Sequence, residues 1–229
     1  MRGDKQKTNL SLSDTFTPMS HITSLWILLA LATIKNLRIF TWEVDSAYLH
    51  GKIDHNIFIK LPEGYEKPNK VGKLNKALYG LTEAVRVWHE DLEAKLKTLG
   101  FSPLGSDTGV FISKTQTGFT AIDTHMDNGM GICSSEEESQ IKSRIQKFYK
   151  IKEKDTSKLF KVLRILVTRD THRGTLKLMQ SEYIDSMLLR FDMRDCNPIV
   201  MPMDKGSHLQ NRESAPYENE KTYQALIGF

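Results

Sequence analysis

Apolar residues recur along the chain at two different periods, and the switches between them divide it into elements. Ser20 to Asn36 carries Ile22, Leu25, Trp26 and Leu29 at helical spacing with Ser20 or Thr23 as cap, and because this helix is apolar nearly all round it should be buried. Arg38 to Val44 follows as a short strand of β-branched and aromatic residues, and Ile57 to Lys60 as another, closed by Pro62-Glu-Gly64. From Glu83 onward Val85, Trp88, Leu92, Leu96 and Leu99 form the stripe of an amphipathic helix that Gly100 stops at its C′ position. Phe119 to Met126 and Met130 to Cys133 are apolar-rich runs separated by Asp127-Asn-Gly129, which predicts a hairpin with its tip at those residues.

Glu136 to Tyr149 reads as a third helix with Ile141, Ile145 and Phe148 facing inward, and Val162 to Met179 as a hairpin turning near Arg173-Gly174. Ser181 to Met193 reads as a fourth helix, capped by Ser181, with Tyr183, Ile184, Met187, Leu188 and Phe191 on its apolar face. Residues 198–216, punctuated by Pro, Ser and Gly, read as a connector; Tyr223, Leu226 and Ile227 then start a new helical pattern near the last residue, as if the chain were cut there. Hairpins mixed with helices, rather than strict β-α-β units, predict an α+β fold in which helices cover one face of an antiparallel sheet.

At 39% hydrophobic and 26% charged, the 229 residues have an ordinary globular composition. A formal charge of +4 is too small to argue for nucleic-acid binding by itself. Its distribution changes the picture, because nine bases lie between Ile141 and Arg164 against only Glu153 and Asp155. This run, including Lys142, Arg144, Lys147, Lys150, Lys152 and Lys154, is either a solvated face or a track for nucleic-acid phosphates. Cys133 and Cys196 form no C-x-x-C pair, so neither a disulfide framework nor a zinc knuckle is indicated. The polar first residues and the short apolar run Leu25 to Ala32 give no leader and no span of roughly 20 residues, so an intracellular chain is expected. The histidines show no metal-ligand spacing of the H-E-x-x-H kind.

Six segments, in order and spacing, resemble the reverse transcriptase of copia-type retrotransposons. They are Thr15-Phe-Thr-Pro18, Trp42-Glu-Val-Asp-Ser-Ala-Tyr-Leu-His-Gly51, Ile57-Phe-Ile-Lys-Leu-Pro-Glu-Gly-Tyr65, Lys73-Leu-Asn-Lys-Ala-Leu-Tyr-Gly-Leu81 running to Arg86-Val-Trp88, His125-Met-Asp-Asn128, and Tyr183-Ile-Asp with Phe191. The resemblance implies a polymerase palm with partial fingers and the start of a thumb over residues 15–197, a polar N-terminus of residues 1–14 that matches nothing, and a connector with a truncated end over 198–229. It also implies an RNA-directed DNA polymerase acting on primer-template and dNTPs, beside other Pol segments such as RNase H and integrase, or in self-association. The alternative is a non-catalytic nucleic-acid-binding module derived from such a domain.

In that family a strand acid and an Asp-Asp pair on a facing hairpin hold two Mg²⁺ ions, a task that needs hard anionic oxygens. By position these are Glu43, Asp127 and Asn128, where the family has Asp at all three. Glu43 keeps the charge with an extra methylene, whereas Asn128 loses it, so metal affinity and catalysis should fall. Asp45 shares a strand face with Glu43 and Asp123 one with Asp127, so substitute ligation is conceivable, against plain solvent or tolerated polar roles. Tyr48 matches the aromatic beneath the incoming sugar, with backbone N–H groups at Ser46 and Ala47 toward the triphosphate; by spacing alone it is equally a half-buried strand aromatic. Glu83 replaces a glutamine that contacts nucleotide, and Arg86 either holds phosphate or pairs within its helix. Arg164 stands where the family has Gly, so its side chain would obstruct a close backbone approach.

Overall fold

In the computed structural model, residues 16–114, 118–201 and 219–228 are described. The expectation for residues 1–14 and most of the 198–216 connector lie outside them. The elements run α1 (Ile22–Ile34), β1 (Arg38–Val44), a 3-10 turn (Ala47–His50), β2 (Phe58–Ile59), β3 (Gly72–Lys73), α2 (Ala84–Thr98), β4 (Ser102–Leu104), β5 (Asp107–Lys114), β6 (Phe119–His125) and β7 (Asn128–Cys133). There follow α3 (Glu138–Gln146), β8 (Ile151–Lys154), β9 (Leu159–Val162), β10 (Ile165–Asp170), β11 (Thr175–Met179), α4 (Ser181–Arg190) and α5 (Glu220–Ile227). No described helix is long and apolar enough to cross a membrane.

Two compact units divide the chain, residues 1–162 with 167–177 and residues 163–166 with 178–229. The first contains a sheet of order β4-β5-β6-β7-β1-β8, and its strand pairs are antiparallel. A second sheet has the order β11-β10-β9, and β2 pairs with β3. The main core lies where Phe40, Trp42 and Val44 of β1, with Phe111 and Ile122, meet Trp88, Leu92 and Leu96 of α2 and Ile141 and Ile145 of α3. Strand alternation sends Ile39 and Ile132 to the opposite face. Both are fully buried there, and α1 packs against β1, β6 and β7. Helices therefore flank both faces of the sheet rather than the single face expected. The second unit carries α4 and α5, in which no residue is buried. The stripe of α4 that reads as a packing face is at most half-buried, and Ser181 is its first helical residue, with Gln180 at the cap position.

Four further sequence expectations are corrected. The first helix is not buried all round: Leu25, Leu28, Leu29 and Ala32 are, but Trp26 is 48% exposed and Ile34 80%. Its N-terminus is held by neither Ser20 nor Thr23 but by Asp107 of β5, whose carboxylate accepts from the His21 N–H at 2.9 Å and from Ser24 Oγ at 2.5 Å. The third helix ends at Gln146, leaving Phe148 exposed, because residues 151–154 leave it to pair with β1 as β8. The hairpin tip is not Asp127 to Gly129; His125 pairs with Asn128, so the turn is Met126-Asp127 and the Asn-Gly pair lies in the strand. Gly129 is needed in the strand because a Cβ there would overlap the Trp42 ring, as one on Gly131 would overlap Phe40.

The Arg164 position has a different reason to favour glycine than close approach. Leu163 and Arg164 have φ +48° and +65° between β9 and β10, a left-handed conformation that costs an L-residue but not glycine. Arg164→Gly is accordingly expected to raise stability by about 0.5–1 kcal/mol. Gly129→Ala should lower it by about 1–3 kcal/mol as the added methyl displaces the Trp42 ring. Urea midpoints of both variants check these signs.

Candidate active site

The end of β1, the adjoining turn and the start of β7 bring three sequence candidates together. Glu43 is the cross-strand partner of Asn128. The Val44 N–H donates to the Asp127 carbonyl at 2.9 Å, and Asn128 Nδ2 donates to Asp127 Oδ1 at 2.9 Å. Met126 has φ +55°, a strained conformation for a residue with a side chain, and Trp88 Nε1 of α2 secures the turn by donating to the Met126 carbonyl at 2.8 Å.

A row of lysines faces these acids, and it was not legible as a strand in the basic run. β8 pairs with β1 so that Lys152 lies across from Glu43 and Lys154 across from Thr41. Lys152 Nζ approaches Asp45 Oδ1 at 2.5 Å, Lys150 Nζ approaches Asp45 Oδ2 at 3.3 Å, and Lys154 Nζ lies 3.7 Å from Glu43 Oε2. The Lys152 and then the Lys150 ammonium hold the Asp45 carboxyl below its ordinary range. The available signal was the alternation of Lys150, Lys152 and Lys154 with Ile151 and Glu153, a strand period rather than a helical one.

Beside the acids, Ser46 in the left-handed conformation opens the 3-10 turn, and Ala47 is fully buried. Tyr48 is half-buried with its ring 4.4 Å from that of Tyr79. Burial, reinforced by the Asp127 charge, pushes both hydroxyls above their usual range, and that of Tyr79 is hydrogen-bonded to the Ala47 backbone. Tyr79 also feels Glu43 and Asp45. It belongs to the cluster although the sequence marked it only as part of a Leu-Tyr-Gly-Leu segment.

Other sequence candidates go elsewhere. Glu83 is completely buried with its Oε1 3.2 Å from His55 Nε2, and Arg86 pairs with Glu90 at 2.6 Å along α2. Lys142 bridges Glu138 at 2.8 Å and Glu153 at 2.9 Å, and Arg144 donates to the Leu99 carbonyl at 2.6 Å. Together with Lys150, Lys152 and Lys154, five of the six bases considered for a phosphate track have partners inside the molecule; Lys147 is the sixth. Asp123 is buried in β6 with Ser20 and Asp107 as polar neighbours, away from open solvent where a ligand could enter.

The donor set does not fit a pair of divalent ions. Asn128 offers an amide whose nitrogen points at Asp127, Glu43 and Asp45 face ammonium groups, and among the described residues no three Asp, Glu, His or Cys side chains converge where a metal ion could sit.

Comparison with known proteins supplies the family. The model for reverse transcriptase (RNA-dependent DNA polymerase) matches residues 1–205. The chain is 28% identical over 235 residues to the retrovirus-related Pol polyprotein from transposon TNT 1-94 of Nicotiana tabacum, covering 100% of this chain and 18% of that protein. It is 28% identical over 232 residues to the corresponding polyprotein from transposon RE1 of Arabidopsis thaliana, covering 99% and 16%. Against the putative transposon Ty5-1 protein of Saccharomyces cerevisiae it is 24% identical over 190 residues, covering 81% and 61%. The chain thus spans less than a fifth of the two plant relatives. No solved structure matches it.

Asp123 supplies a test of the buried electrostatics. Burial, opposed by the Ser20 hydroxyl and reinforced by the Asp107 charge, pushes its carboxyl up from 3.8 to about 6. The folded state therefore holds a proton that the unfolded state releases, and stability falls as pH rises through that interval, by roughly 3 kcal/mol once both forms are ionised. Asp123→Asn is expected to raise Tm at pH 7.5 and leave it nearly unchanged at pH 4. An equal change at both pH values, followed by calorimetry, would contradict this.

Proposed function

Because the chain belongs to the reverse transcriptase (RNA-dependent DNA polymerase) family and is a copia-type domain of it, we propose that it forms the palm-centred part of the polymerase of a retrotransposon Pol polyprotein, with catalysis impaired at the carboxylate cluster. Residues 15–197 correspond to the palm with partial fingers and the start of a thumb. The observation that carries this reading is the register that sets Glu43 opposite Asn128 with Asp127 in the adjoining turn.

The reaction class is nucleotidyl transfer. The primer 3′-oxygen attacks the α-phosphorus of a dNTP, the bond to pyrophosphate breaks, and the 3′-hydroxyl proton leaves. Tyr48, braced by Tyr79, forms the floor under the incoming sugar and excludes a ribose 2′-hydroxyl by its bulk. Asp127 and Glu43 supply the anionic oxygens, but the family's third carboxylate is an amide here, and displacement of the Glu43 carboxylate by a methylene costs as much as other misplacements of about 1 Å, on the order of 10²-fold. Mg²⁺ binding is correspondingly weak. Primer-template, dNTPs and other Pol segments are the partners. The non-catalytic nucleic-acid module is less favoured, because most of the basic run is occupied by pairs within the molecule.

Primer extension on an RNA template tests this. The unmodified chain is expected near background in Mg²⁺, and Glu43→Asp with Asn128→Asp should raise extension by at least about 10²-fold, more than either change alone, since groups in one site act together. Robust Mg²⁺-dependent synthesis by the unmodified chain overturns the impairment. A restored variant that binds two ions and primer-template yet extends nothing overturns the polymerase assignment.

A further inference from the structure

The mismatch between the family's metal chemistry and the donors present has a specific physical source in β8. Lys150, Lys152 and Lys154 occupy alternate positions and so share the sheet face of Glu43 and Asp45. The backbone fixes this arrangement: β8 pairs with β1 from Thr41 to Val44, and the Asp45 N–H donates to the Lys150 carbonyl at 2.9 Å. Lys152, whose cross-strand partner is Glu43, reaches past it to Asp45; Lys154, across from Thr41, reaches Glu43. Each lysine thus leans one step toward the end of β1, where Asp127 sits. Both oxygens of Asp45 face ammonium groups, at 2.5 Å and 3.3 Å. Three lysines, two on Asp45 and one on Glu43, balance the formal charge of Glu43, Asp45 and Asp127, so the cluster has no surplus negative charge with which to gather a divalent cation.

We propose that Lys152 and Lys154 are internal counter-ions that compete with divalent cations for the Asp45 and Glu43 carboxylates, so that metal loading of the cluster requires their displacement. The proposal rests on the reading of Glu43 and Asp127 as the polymerase acids and adds residues that neither that reading nor the family match assigns. These pairs are partly solvated, and such pairs are individually weak. The lysines accordingly do not seal the site; they lower its affinity by competition, in the same way that one cation displaces another.

The experiment measures Mn²⁺ affinity of the full 229-residue chain, by water-proton relaxation and calorimetry, without nucleic acid or nucleotide. Lys152→Gln with Lys154→Gln should tighten Mn²⁺ binding about tenfold or more, because two positive charges in direct contact with the carboxylates are removed. Lys147→Gln with Lys177→Gln removes the same net charge from residues that make no ion pair with Glu43, Asp45 or Asp127, and should change affinity less than about twofold where charge is distant and screened. Lys152→Arg with Lys154→Arg, retaining charge, should stay at the unmodified value. Thermal melts establish that each variant is folded. A tenfold gain confined to the Lys152/Lys154 glutamine variant supports competition. Equal gains in both glutamine variants, or none in either, overturn it. Glu43→Asp with Asn128→Asp separates the two levels: if this pair gains Mn²⁺ affinity while the lysine variant does not, the counter-ion role fails and the polymerase reading stands. If the lysine variant gains affinity while the restored acids support no primer extension, the polymerase reading fails and the counter-ion role stands.

Discussion

Two aromatic rings lying flat on two glycines set the register on which the rest of the molecule depends. Trp42 faces Gly129 and Phe40 faces Gly131 across the β1–β7 pair, with no room for a side chain on either glycine. A slip of one residue would drive each ring into a neighbouring side chain and turn the strand's buried residues to the opposite face. With the register held, Glu43 falls opposite Asn128, the Val44 N–H finds the Asp127 carbonyl, and the Met126 carbonyl comes within reach of Trp88 Nε1. The same aromatic residues belong to the main core, so the packing that stabilises the sheet also aims the acids.

Two populations of carboxylate follow from this arrangement, and burial separates them. Asp107, Asp123 and Glu83 lie inside. Burial alone would raise Asp107, but hydrogen bonds from the Ser24 hydroxyl and from the His21 and Gly109 N–H groups outweigh it and hold the carboxyl low. Asp123, less well served by donors, moves the other way. Glu43, Asp45 and Asp127 form the open population, with lysines on the adjacent strand. The acids on which the proposed function rests belong to the open group, and the lysines beside them pair with Asp45 and Glu43.

The outer face of α1 illustrates a limit of periodicity. The helix has no charged residue, yet the sheet beneath it is met by only one side, so Ile22, Trp26, Ile27 and Ile34 remain exposed. Hydrophobicity all round a helix states what could be buried; how much is buried depends on the surfaces the rest of the chain brings to it.

The strand at Arg38–Val44, the helix stopped at Gly100, the hairpin near Gly174 and the ordered segments that carry the family resemblance were all legible from residue order, because each depends on local spacing and turn chemistry. Glu43, Asp127 and Asn128 were named together through the family resemblance and not through local spacing, and the structure brings them to one end of the β1–β7 pair. What residue order could not decide was anything resting on a partner distant in the chain. The Asn-Gly pair left the turn because Trp42 needed Gly129 beneath its ring; Glu83 turned inward to His55; and Lys150, Lys152 and Lys154 of the basic run came to lie along or next to a strand, facing Asp45 and Glu43. A glycine suits a turn or a ring equally well, and a lysine suits solvent or a carboxylate. Only tertiary contact, by fixing which neighbour each one meets, selects between them.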